Sequence, residues 1–166
     1  MKIFIYLIHK EEKMSGDIQH YLKMCKQFGV NIVVSYIFNK DIQYAHKYDS
    51  LQQKKASKHC NTIQNDNLSS KLAYSKALES YLDSQSILLD ENGKHYSSLG
   101  FSELLGHFLF SQPSRSMQHK TLASLHNGVK FFIAGAFGFH SSLLSQYHTL
   151  SLSTLTFSHK IAKIVL

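Results

Sequence analysis

A chain of 166 residues with 43% hydrophobic and 12% aromatic residues can bury the core of one domain, which argues against a largely disordered protein. The formal charge of +7 comes almost wholly from lysine, Arg115 being the one arginine among 18 basic residues, so the surface offers mobile, strongly hydrated ammonium groups that attract polyanions in general. Cys25 and Cys60 form no C-x-x-C, which argues against a disulfide framework or a zinc site, and no apolar run approaches the roughly 20 residues of a membrane helix. A reduced, cytoplasmic chain is expected.

Ile3 to Ile8 is a continuous apolar run without a following cleavage site, so it reads as a strand covered on both faces rather than a signal peptide. Ser15 or Asp17 can cap a helix with an apolar stripe of Ile18, Tyr21, Leu22, Cys25 and Phe28, ended by Gly29 at the C′ position. The β-branched run Val30 to Phe38 makes a second strand and completes a βαβ unit. Asn39 to Asn67 is polar, either a solvated helix or a mobile loop, and its Lys54, Lys55, Lys58 and His59 read as a solvated face. Leu72, Leu78 and Leu82 then mark a helix that delivers the chain to a third strand, Ile87-Leu88-Leu89. Asp90-Glu91-Asn92-Gly93 has the composition of a turn at that strand's C-terminal end, where ligands of open α/β sheets sit.

Ser97 or Ser98 can cap the next helix, whose Phe101, Leu104, Leu105 and Phe108 form the buried face, with Gly100 costing roughly 1 kcal/mol in its first turn. Ser111 to Asn127 is a polar linker. Val129 to Ile133 is an apolar run that leads into Ala134-Gly135-Ala136-Phe137-Gly138, a short amphipathic segment and a Ser/Thr-rich apolar run from Leu150 to Phe157. Strand, glycine turn, helix, strand is the simplest reading, and glycine beyond a buried strand lets a ligand approach main-chain groups. The eleven histidines are scattered without H-x-x-x-H spacing to a carboxylate, so no metal site is expected; G-x-S-x-G, P-loop and G-x-G-x-x-G signatures are absent. With no internal repeat or low-complexity tract, residues 1–166 read as one α/β domain.

Four features in order carry a family resemblance. They are Leu89-Asp90 followed by Gly93, a helix start with Ser97, Ser98 and Phe101, a strand followed by Gly135-x-x-Gly138, and the run Leu152-Ser153-Thr154-Leu155-Thr156-Phe157-Ser158-His159. The chain resembles the SPOUT-class ribosomal RNA large subunit methyltransferase H family over nearly its whole length, most specifically in that last run. The resemblance implies an α/β-knot fold with a mostly parallel sheet flanked by helices, a homodimer, and S-adenosylmethionine bound in the C-terminal half. It also implies methylation of N3 of a pseudouridine in helix 69 of 23S rRNA on the assembled ribosome.

Carried over by position, the cofactor contacts would be Leu89, Ala134, Gly135 and Leu152, Ser153, Thr154, Leu155, Thr156 and Phe157. The apolar members suit an adenine ring, and main-chain groups suit its polar edge. Periodicity alone would make Leu89, Leu152 and Leu155 ordinary strand core. His159 is the candidate for relieving N3 of its proton, although a His at a helix start can equally serve as a cap.

Four departures accompany the resemblance. Ala134 stands where the family has the first glycine of its turn, Phe137 makes the turn more apolar, and Ser111 to Asn127 is longer than the family's connection. The helix from Ser158 rises only about 12–14 Å to Leu166, whereas family members continue. A shallow or incomplete knot is therefore expected, with Ile161, Ile164, Val165 and Leu166 exposed and needing a partner. The alternatives are a truncated or inactive relative that keeps RNA or ribosome binding without methyl transfer, and a small-molecule α/β enzyme.

Overall fold

The structure, a computed structural model, describes residues 1–56, 67–110, 128–153 and 155–166. Five strands, β1 (Lys2–Leu7), β2 (Asn31–Tyr36), β3 (Ser86–His95), β4 (Val129–Ile133) and β5 (His148–Ser151), form one parallel sheet in the order β2-β1-β4-β3-β5. Six helices accompany them among the described residues: α1 (Gly16–Gln27), α2 (Lys40–Ala56), α3 (Leu68–Leu78), α4 (Ser98–Phe110), α5 (Ser141–Leu144) and α6 (His159–Val165).

The apolar runs become strands because helices cover both faces. β4, buried along its whole length, is the central strand. Side chains alternate across it: Phe132 joins Ile8, Ile42, Tyr74, Leu78 and Leu88 under α2, α3 and α5. Phe131 packs on the other face with Ile87 and Leu150 beneath Phe101, Leu104, Leu105 and Phe108 of α4, while Ile133 meets Ala162 of α6. Lys130 also lies within the sheet, and its ammonium is paired with Asp83 at 2.7 Å. None of the described helices is long and apolar enough to cross a membrane.

Several expectations hold at the level of caps and faces. Gly29 takes φ +76°, and the Val30 and Gly29 N–H groups bond the Cys25 and Lys26 carbonyls, a complete Schellman stop to α1. Ser97 caps α4 through the Gly100 N–H at 3.1 Å. The polar stretch after Asn39 resolves into α2, capped by Asn39 Oδ1 on the Ile42 N–H at 2.9 Å. Lys58, His59, Cys60 and Ser111 to Asn127 lie outside the described residues.

Other expectations are corrected. Of the α1 stripe only Ile18 is buried; Tyr21 and Phe28 are 53% and 80% exposed, because α1 lies over the edge strand β2 with no further strand beyond it. In α3 the buried row is Ser70, Tyr74 and Leu78, and Leu72 faces solvent. Leu166 packs into the core beside α4 and α6, leaving Ile161, Ile164 and Val165 exposed.

Asp90 to Gly93 does not end the third strand. Leu89 and Lys94 both pair with Leu150, so the four residues between them bulge outward before β3 resumes against Ser151. The strand reading of Leu150 to Phe157 is likewise too long, since β5 begins at His148 and stops at Ser151.

Candidate functional site

At the C-terminal ends of β3, β4 and β5, three stretches of chain enclose a cavity of about 540 Å³. They comprise residues 89–91, residues 133–138 and the described residues of 150–158, with Ala162 of α6 adding a further surface.

The middle stretch is a tight turn in which the Gly138 N–H donates to the Gly135 carbonyl at 3.2 Å. Gly138 needs to be glycine for its φ of +73°. Gly135 needs to be glycine for space: a Cβ there would meet the Tyr74 hydroxyl oxygen at 2.5 Å and the Ile8 carbonyl at 3.2 Å. Ala134 carries no such burden. Asn67 is the one described non-glycine residue with positive φ, so the Cβ of Ala134 is unstrained.

The third stretch is a loop because its hydroxyls compete for the backbone. Ser151 Oγ donates to the Ser153 carbonyl at 2.8 Å, and Ser153 Oγ accepts from the Leu155 N–H at 3.0 Å. Thr156 Oγ1 then donates to Glu91 Oε2 at 2.5 Å, joining this loop to the bulge of β3 across the cavity. Ser158 Oγ accepts from the Ile161 N–H and starts α6.

Eight of the residues singled out from sequence line this cavity: Leu89, Ala134, Gly135, Leu152, Ser153, Leu155, Thr156 and Phe157. Leu155, however, is 68% exposed and sits at the rim instead of within an apolar slot. Thr154 and the side chain of His159 lie outside the described residues. Asp90 and Glu91, the ionisable groups among the described lining residues, stand in the segment that the sequence placed at the ligand end of the third strand, although neither was named as a contact. Sequence reading missed Tyr74 and His46 behind the turn. Tyr74 had a faint signal, since it stands four residues from both Ser70 and Leu78 on one helical row; His46 stood in a polar stretch with none.

Residues 1–166 match the model of a family described as predicted SPOUT methyltransferase. The chain is 35% identical over 170 residues to the ribosomal RNA large subunit methyltransferase H of Wolinella succinogenes. It is 32% identical over 169 residues to the protein of that name from Aliarcobacter butzleri and 31% over 169 residues to that from Helicobacter acinonychis. Each alignment covers 100% of this chain and 88% of the relative. With a match that runs from the first residue to the last, and relatives of one name at this identity, the chain belongs to the SPOUT methyltransferase family.

Proposed function

We propose that this chain is an S-adenosylmethionine-dependent methyltransferase of large-subunit ribosomal RNA, with the cofactor held in the cavity. The observation that carries the reading is the convergence of residues 89–91, 134–138, 152–153 and 155–158 beyond the ends of three parallel strands, the place where α/β sheets take ligands.

The residues fit the cofactor. A volume of about 540 Å³ lies within the roughly 300–1,000 Å³ of small-molecule sites. Half-buried Leu89, Leu152 and Phe157 suit an adenine ring, and main-chain groups of the turn and loop suit its polar edge. Asp90 and Glu91 place acidic charge at the cavity of a chain whose net charge is +7, which suits a cationic ligand. When bound, the cofactor supplies a methyl group on a positively charged sulfur. The protein's share is orientation and exclusion of water.

The finer assignment is N3 of a pseudouridine in helix 69 of 23S rRNA, within the assembled ribosome. It rests on the run Leu152 to His159, while the relatives' names reach as far as large-subunit rRNA. Surface lysines would steer the protein toward rRNA phosphates without reading sequence. His159, the first residue of α6 and next to the cavity-lining Ser158, is assigned to accept the N3 proton. We read residues 1–166 as a single domain acting as a homodimer in the cytoplasm.

Calorimetry with S-adenosylmethionine, followed by nucleoside mass spectrometry of ribosomes that lack this methyl group, tests the assignment. Saturable heat and one added methyl in a helix 69 fragment are expected. No heat at millimolar cofactor would sink it, and heat without methylation would leave a ribosome-binding relative that does not transfer.

A further inference from the structure

Tyr74 of α3 is fully buried behind the cavity wall, and its hydroxyl joins three parts of the chain. The oxygen lies 2.6 Å from His46 Nε2 on α2 and occupies the space that a Cβ on Gly135 would need, so it bears directly on the turn. The His46 ring stands edge-on to Tyr74, Phe137 and Phe38, with centroids 5.5, 5.2 and 5.9 Å away. Asp49 Oδ2 accepts the Ser70 N–H at 2.9 Å, so α2 and α3 are tied together beneath this contact.

With the imidazole neutral and its proton on Nδ1, the hydroxyl donates to Nε2. A buried donor left without an acceptor is costly, because nothing repays its desolvation.

We infer that Tyr74 and His46 are positioning residues for the cavity: the hydroxyl seats the Gly135–Gly138 turn, and the imidazole fixes the direction of the hydroxyl. Neither side chain lines the cavity, so neither touches a bound ligand. The consequence for S-adenosylmethionine rests on the methyl-donor reading; the brace itself does not.

Protonation of His46 would make Nε2 a donor and leave the Tyr74 proton without an acceptor. The ionisable groups facing His46 are Asp49 on its own helix and Tyr74 on α3, while Phe38 and the turn's Phe137 carry no charge. Lys10 rides on the Phe38 ring, 5.5 Å from its centroid. The turn should therefore loosen in acid.

Amide hydrogen exchange at Phe137 and S-adenosylmethionine titration, run from about pH 5 to pH 8 on wild type, Tyr74→Phe, His46→Gln and Leu78→Ala, test the brace. Tyr74→Phe should speed exchange at Phe137 by about tenfold and weaken cofactor binding about three- to tenfold. His46→Gln keeps an acceptor that does not titrate, so it should hold exchange near the wild-type rate at neutral pH and abolish its rise in acid. Leu78→Ala, an equally buried change away from the turn, should leave Phe137 slower than in Tyr74→Phe. Unchanged exchange in Tyr74→Phe, or equal exchange in Leu78→Ala, overturns the brace. Faster exchange with unchanged affinity overturns its bearing on the cofactor. Absence of heat with wild type is a failure of the methyl-donor reading instead, and the exchange rates still decide the brace.

Discussion

A Cβ on Gly93 would stand 2.7 Å from the carbonyl carbon of Leu150 and 2.8 Å from its nitrogen, so the bulge of β3 rests directly on the backbone of β5. Backbone cannot swing aside as a flexible side chain can. Gly93→Ala should therefore push β3 from β5 at the mouth of the cavity and cost about 1–3 kcal/mol. Urea denaturation measures this, and an unchanged midpoint would show that the two strands can separate freely.

The same bulge carries Asp90 and Glu91 to the cavity. If they complement the positive sulfur of the proposed cofactor, Asp90→Asn with Glu91→Gln should weaken S-adenosylmethionine about three- to tenfold. S-adenosylhomocysteine, which lacks that charge, should lose less. Calorimetry with both ligands checks this, and equal losses would assign the carboxylates to a neutral part of the ligand or to the Thr156 contact alone.

Lys130 is buried in the central strand, where its ammonium donates to Asp83 Oδ2 at 2.7 Å and to the Tyr81 carbonyl at 3.0 Å. Asp83 is partly open to solvent, which moderates the pair's worth. Asp83→Asn removes the countercharge and leaves the ammonium buried, a loss of about 1–2 kcal/mol. Lys130→Met removes the charge itself and refills the space, so it should cost less. Thermal melts of the two variants decide the order.

Burial pushes the imidazoles of His46 and His148 below the ordinary value of 6.5, and Lys94 and His107 push His148 further in the same direction. The unfolded chain then takes up protons more readily than the folded one. Their contribution to stability is full above pH 6.5 and is lost as pH falls from there through their folded values. Urea midpoints should decline on acidification across this window, and the decline should flatten in the double variant His46→Gln with His148→Gln. A double variant with the wild-type slope would place the titration elsewhere.

The strands were readable because an apolar run buried on both faces needs no partner's identity to be recognised. Ile3 to Ile8 and Val129 to Ile133 both became strands of the sheet. Gly29 was readable for a similar reason, since a helix stop of this kind is local geometry. The end of β5 was harder: whether Ser151 to Thr156 extends a ladder or folds back on its own hydroxyls depends on what lies alongside, and here Glu91 lies alongside. The α1 stripe failed because amphipathicity says which face is apolar and not how much sheet there is to cover it.

By itself the sequence determined the alternation of strands and helices, the glycines that allow the turns, and the segments whose pattern marks the family. Tertiary structure alone decided that Asp90 and Glu91 are the charges of the cavity and that Tyr74 stands behind its wall. The reason is physical. Period and propensity act over a few residues, whereas the cavity is made by strand order, which sets β3 between β4 and β5 and so brings together chain segments far apart in sequence.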